Sequence, residues 1–186
     1  MEQAPDRIVA PIVARHVDFL DSLANKGDLP VERERLEQAL EKVDFLIGSA
    51  PVGPKTVRRL VTFSKHLPLV RFGSTETCLQ VLGVPRSISE TSKLACFERG
   101  WAHVYGGVEQ RGFYIGRAHP PYTEVRIVRS CDPESSNYLE DCEEGEPGSL
   151  ITRGSNLLSG YLQDDVGTDS VLRDGWYFGF GDICFF

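Results

Sequence analysis

The sequence predicts a mixed α/β fold: a β-α-β unit with packed helices, followed by a β-rich, barrel-like part. Three observations carry this prediction. Two stretches near the start repeat apolar residues at helical spacing, and from residue 43 short apolar runs flank one further helix. Later segments alternate or are short and apolar, with turns at close intervals. With 186 residues and 41% apolar content, the chain can bury a proper core. We divide it at residue 100: residues 1–100 hold the helices and the α/β part, and residues 101–186 the β-rich part.

The first helix is expected where Ile12, Val13, His16, Val17, Leu20 and Leu23 recur at spacings of three and four. Pro11 lies near its first turn and Gly27 supplies the stop. His16 falls on the apolar stripe, where a packed histidine is favoured over a ligand. In the second helix, "VERERLEQALEKV", Leu36, Leu40 and Val43 form one narrow face among charges, so it belongs on the surface. "VDFLIG" reads as a buried strand, "GPKTVRRLVTFSKH" as a helix turning Val57, Leu60 and Val61 inward, and "LPLVRF" as the next strand. That is a β-α-β unit with parallel strands. Beyond it "YTEVRIVR" alternates, "GSLITRG" is short and apolar, and "EPG", "RDG" and "GFGD" punctuate.

The net charge of −7 is concentrated: residues 130–147, "SCDPESSNYLEDCEEGEP", hold seven acids and no base. We read this as a solvated surface loop, since its acids lack the alternation of a calcium loop. The rest is neutral and nothing points to nucleic acid as a partner. Five cysteines, Cys78, Cys96, Cys131, Cys142 and Cys184, never fall in C-x-x-C spacing, which argues against zinc. "MEQAPDR" carries no leader pattern and no run approaches a membrane span, so the expected location is cytoplasmic.

The two strands end in Gly-Ser stretches, "GSAP" (48–51) and "GSTE" (73–76). In open α/β sheets ligands bind beyond the carboxyl ends of strands, so these loops are expected to share a crevice. In "RFGSTET" the glycine permits close backbone approach, Ser74 and Thr75 can donate to phosphate oxygens, Glu76 can hold magnesium, and Phe72 offers a flat face to a purine. The bland alternative is a turn whose hydroxyls merely satisfy backbone groups. For these seven residues in isolation the bland alternative is the better reading.

The order of "VDFLIGSAPVGPKTVRRL", "LVRFGSTET", "YIGRAHPPYTEVRIV", "GEPGSLITRG", "SGYLQD" and "RDGWYFGFGD" resembles the adenylate-forming superfamily, which includes acyl-CoA synthetases and peptide-synthetase adenylation domains. The resemblance runs from about Ile8 to Phe186 and implies a partial adenylate-forming domain. It implies that Gly48, Ser49, Ala50 and Pro51 lie against adenine and that Phe72 packs on the same ring. It further implies that Gly73 and Ser74 belong to the nucleotide loop, that Thr75 contacts the α-phosphate, that Glu76 is the magnesium-associated glutamate, and that Asp182 binds the ribose. Thr75 and Glu76 are the implied catalytic pair. Gly73 and "TCLQVLG" would line part of the acyl pocket, and "GSLITRG" and "SGYL" match motifs read as structural. The implied reactants are ATP, Mg2+, a small carboxylic acid and CoA or another thiol.

The chain also departs from that pattern. Residues 1–47 carry no phosphate-gripping loop ending in lysine, and the sequence stops four residues after Asp182, before any catalytic-lysine domain. In "GWYFGFGD" four residues, ending in Phe180, stand where the family has three ending in threonine. Three readings follow: a segment of an acyl-CoA-synthetase-like ligase, a catalytically silent binding module, or a structural subunit with a protein partner. Among the remaining residues, His103 and His119 are not expected to bind metal. Cys78 is expected as a buried inert thiol, Arg58 and Arg59 as the solvent side of a helix, and Trp101, Tyr105 and Phe113 as core aromatics at strand ends.

Overall fold

Residues 7–186 are described in the structure, a computed structural model. The stretch 1–6, most of the segment lacking a leader pattern, lies outside them. In chain order the elements are β1 (Ile8–Ile12), α1 (Ala14–Lys26), α2 (Arg33–Leu40), β2 (Val43–Ile47), α3 (Pro54–Ser64) and β3 (Leu69–Phe72). A 3-10 turn (Thr75–Thr77) follows, then β4 (Leu82–Gly83), α4 (Glu90–Trp101), β5 (Val104–Tyr105), β6 (Val108–Glu109) and β7 (Arg117–Ala118). The chain continues with β8 (Thr123–Val128), β9 (Gly148–Gly154), α5 (Asp165–Val171), β10 (Leu172–Arg173), β11 (Trp176–Tyr177) and β12 (Ile183–Cys184). They form two compact units: one takes the chain up to Arg71 with Val84–Trp101 and Phe113–Gly116, and the other holds Phe72–Gly83, Ala102–Gly112 and Arg117–Phe186.

In the first unit β1, β2 and β3 run parallel, in registers from Ile8↔Val43 to Ile12↔Ile47 and from Leu46↔Leu69 to Ile47↔Val70. The β-α-β unit is therefore present, with an additional strand where the sequence suggested the approach to a helix. Pro11 explains the position of that strand: proline cannot donate to a ladder and is tolerated where only one side is paired. The helix begins only after Val13, which is extended at φ −108° and ψ 157°. His16 is exposed, its Nδ1 accepting the Val13 amide at 3.3 Å. A cap at the helix entrance, not core packing, is thus the role of this histidine. The helix stops at Gly27, whose φ of 76° is left-handed and suits a residue without Cβ.

α2 buries none of its residues, as its narrow stripe implies, but Val43 leaves that stripe to begin β2. α3 buries Val57, Leu60 and Phe63. Arg59 is not merely solvated: its guanidinium meets Asp18 and, at 2.9 Å, Asp21 of α1. Partly exposed pairs of this kind contribute about 1 kcal/mol or less. α4 is a helix that apolar spacing hides, because Leu94 and Ala95 face solvent while Lys93 is buried with Glu90 as its partner at 2.6 Å. Its anchor is Phe97, wholly buried, stacked on Trp101 and edge-on to Tyr114, each at 5.5 Å. Trp101 is a core aromatic of a helix end, not of a strand end. Phe113 is exposed, contrary to the expectation of core packing. Ile47, Val52, Val57, Leu60, Leu69, Val70 and Phe97 make up most of this core.

The second unit is built on β9. It pairs antiparallel with β8 from Thr123↔Gly154 to Val128↔Ser149, and with β11 and β12 on its other side. A strand covered on both edges buries its centre: Leu150, Ile151 and Thr152 are buried, and the Thr152 hydroxyl donates to the Glu124 carbonyl at 2.8 Å. Arg126 and Arg153 lie over the Trp176 ring, 5.5 and 4.7 Å from its centroid. The acidic stretch is anchored as well as solvated. Arg129 binds Glu146 at 2.9 Å and also Glu140, and Arg126 binds Asp141 at 2.8 Å. Hydrogen bonding to Glu146, foremost, drives the Arg129 pKa upward. α5, unforeseen in a β-rich region, starts from Asp164, whose carboxylate accepts the Gly167 amide at 2.8 Å. Among the described residues no helix is long and apolar enough to cross a membrane.

Candidate functional site

The second unit holds the tight loop that follows Phe72. The Phe72 carbonyl accepts the Val81 amide at 2.8 Å, and the Ser74 carbonyl accepts the Leu79 amide at 2.8 Å. Between these bonds the chain doubles back so closely that a Cβ on Gly73 would sit 2.7 Å from the Gln80 nitrogen and the Leu79 carbonyl carbon. Glycine is therefore required here by proximity of backbone to backbone.

The three hydroxyls of the loop divide their work. Thr77 is fully buried and holds the turn, accepting the Ser74 amide at 2.9 Å and donating to the Ser74 carbonyl at 3.1 Å. Ser74 Oγ is buried without a well-aligned hydrogen bond, and Thr75 is exposed. The turn-satisfaction alternative accounts for Thr77, while the Ser74 hydroxyl faces Glu76 and Tyr177.

Glu76 lies half-buried beside them, its Oε1 accepting the Tyr161 hydroxyl at 3.0 Å. Its pKa is lowered from 4.5, first by its own backbone amide, then by the Ser74 hydroxyl, against a desolvation cost; Tyr161 and Tyr177 add to the lowering. Desolvation raises the pKa of both tyrosines, and the carboxylate raises them further. At neutral pH the group is an anion among neutral hydroxyls.

Phe72 presents its ring to Phe180 at 5.2 Å, and Phe180 meets Tyr177 edge-on at 5.0 Å. Asp182 follows Gly181, which has φ 69°. Its carbonyl accepts the Leu150 amide at 3.3 Å while its exposed carboxylate has no hydrogen-bond partner among the described residues. Cys78 is exposed, not buried as the sequence suggested. His119 pairs with Gln80 at 2.6 Å, and His103 bonds the Gly145 carbonyl while stacking on Phe185. Hydrogen bonding and packing occupy both histidines.

In the first unit Gly48 to Pro51 follow β2. A Cβ on Gly48 would come within 3.2 Å of the Arg71 carbonyl, so this loop too is closely backed. Ser49 adopts φ 65°, a left-handed conformation uncommon for a residue with a side chain. Ser49, Ala50 and Pro51 are exposed, ahead of the buried Val52.

The sequence missed Tyr161. It lies in "SGYL", far along the chain, and only an acidic partner elsewhere would have marked its hydroxyl. No group of three or more His, Cys, Asp or Glu residues could hold a metal among the described residues. Magnesium retains waters and is commonly held by one or two carboxylates plus phosphate oxygens, a need that a single ionised carboxylate such as Glu76 can meet.

Comparison with known proteins gives a consistent picture. The family described as AMP-binding enzyme matches residues 9–162. The chain is 41% identical over 63 residues to the probable acyl-activating enzyme 5, peroxisomal, of Arabidopsis thaliana, covering 33% of the chain and 10% of that protein. It is 31% identical over 137 residues to a long-chain-fatty-acid–CoA ligase of Yersinia pestis, covering 73% of the chain and 19% of the relative. Among solved structures, ATP-bound MatB from Rhodopseudomonas palustris superposes with a TM-score of 0.65 at 23% identity over 95% of the chain and 28% of its own. The adenylation domain of a keto acid-selecting peptide-synthetase module superposes with 0.66 at 16% identity, over 96% and 33%.

The chain belongs to the AMP-binding enzyme family, the adenylate-forming superfamily. It is part of an acyl-CoA-synthetase-like AMP-binding domain, spanning from a tenth to about a quarter of the curated relatives it matches.

Proposed function

We propose that this chain carries part of the nucleotide site of an ATP-dependent acid–thiol ligase. Such an enzyme converts a carboxylic acid to an acyl-adenylate with loss of pyrophosphate, and a thiol such as CoA then displaces AMP. A carboxylate is a poor acyl donor because oxide is a poor leaving group, whereas AMP leaves readily. The observation that carries the reading is the ionised Glu76, bordered by the Ser74 hydroxyl and followed in the chain by no other acid of the loop, with the exposed Thr75 beside it in one tight turn.

In this reading the exposed Thr75 donates to phosphate oxygens, Ser74 supports the Glu76 carboxylate from within the loop, and Glu76 holds Mg2+ directly or through water. Magnesium supplies charge neutralisation on the phosphates. Phe72 takes the adenine face, Asp182 orients the ribose hydroxyls, and Gly73 with residues 77–83 contributes to the acyl pocket. The expected location is cytoplasmic; the word peroxisomal in the plant relative's name sets the alternative.

A silent binding module is the second reading, favoured by one observation: Phe180 already packs on the Phe72 ring that would meet the base. Calorimetric titration of the chain with ATP and Mg2+ tests both, alongside Asp182→Ala and Glu76→Ala. Binding lost in the variants supports the site. Absence of binding to the native chain moves the weight to a silent role. Carboxylate-dependent exchange of labelled pyrophosphate into ATP would show that the chain by itself forms the adenylate, against our expectation.

A further inference from the structure

The segment after β9 grips the Glu76 loop at both backbone and side chain. Leu158 donates its amide to the Glu76 carbonyl at 2.7 Å. The Asn156 amide group donates to the carbonyls of Thr77 at 2.9 Å and Gln80 at 3.1 Å. Five residues after Asn156, the Tyr161 hydroxyl reaches Glu76 Oε1. Tyr161 is itself fixed: its amide donates to Thr168 Oγ1 at 2.8 Å, and that hydroxyl donates to the Asp164 carbonyl at 2.8 Å, at the start of α5. The tyrosine therefore stands on a braced backbone, and its hydroxyl meets the carboxylate alongside those of Ser74 and Tyr177.

We infer that Tyr161 is a positioning residue for Glu76, engaging Oε1 so that the carboxylate is held in one rotamer ready to meet a cation. The inference rests on the proposed magnesium role of Glu76. A carboxylate on a free side chain must lose rotamer freedom whenever it binds a cation, and a prior hydrogen bond removes that cost in advance. Filling space would need only the ring, which phenylalanine retains; positioning needs the hydroxyl. The "SGYL" motif thereby acquires a role beyond turning the chain.

The test separates metal-dependent from metal-free binding. ATP is titrated into the native chain, Tyr161→Phe, Glu76→Gln and the double variant, with Mg2+ and with a chelator, circular dichroism verifying the fold of each. We expect Tyr161→Phe to bind ATP normally under chelation while losing about threefold to tenfold of the gain that Mg2+ brings. Glu76→Gln, which keeps an oxygen for the Tyr161 hydroxyl but removes the charge, should lose the gain entirely, with the double variant no worse. A native gain retained in full by Tyr161→Phe overturns the inference and leaves the magnesium reading intact. A native chain without any magnesium-dependent gain overturns both. A loss in Tyr161→Phe that is equal with and without Mg2+ also overturns the inference, because it marks a structural role.

Discussion

Replacing Gly73 with alanine probes the closest backbone approach in the candidate site. The new Cβ would lie 2.7 Å from the Gln80 nitrogen and the Leu79 carbonyl carbon, and 2.8 Å from the Gln80 Cα. These are backbone atoms and have little freedom to retreat. The Leu79 amide is tied to the Ser74 carbonyl at 2.8 Å, the Val81 amide to Phe72, and the Gln80 carbonyl to Asn156. Relief must stretch at least one of these bonds. Overpacking of this kind costs about 1 to 3 kcal/mol. At a urea m-value of about 2 kcal/mol per M, the midpoint should fall by about 0.5 to 1.5 M, with the slope unchanged. Fluorescence of the two tryptophans, Trp101 and Trp176, reports the transition. A Gly73→Ala midpoint indistinguishable from native would refute the argument, because it would mean that the loop opens without cost.

Three further outcomes are expected. The folded state holds the Glu76 pKa below its unfolded value of 4.5, so its contribution to stability is present above that value and is lost as pH falls through the folded pKa. The stability gap between native and Glu76→Gln in urea titrations should therefore be constant at neutral pH and shrink on acidification. Burial pushes the Cys184 thiol up to about 12, while Cys78 is exposed. An alkylating agent followed by mass spectrometry should modify the exposed Cys78 well before Cys184, since the thiolate is the nucleophile. Asp164→Ala removes the side-chain acceptor of the Gly167 amide, and should cost about 1 kcal/mol in denaturation and loosen α5.

Legibility in the sequence tracked how directly burial writes itself into a local pattern. "VDFLIG", the α3 stripe and "LPLVRF" were readable because each turns apolar residues toward one core at a simple period, and they became β2, α3 and β3. α4 was not, because a buried Lys93 and exposed Leu94 and Ala95 disrupt the stripe, and a distant Tyr114 completes the packing of Phe97. β1 was misread because Ile12 and Val13 continue the apolar spacing of α1. Only pairing with β2 shows that Ile12 belongs to a strand.

The sequence alone determined the motif order of an adenylate-forming domain and the residue types of the Glu76 loop, since both depend on which groups stand next to one another. Which hydroxyl braces the turn, which faces the carboxylate, and which tyrosines reach it were decided only in three dimensions. Tyr161 and Glu76 stand 85 positions apart in the chain. A hydrogen bond across that separation has no period and leaves no local signature; it exists because folding brings the segment after β9 over the loop after Phe72 and fixes both backbones there.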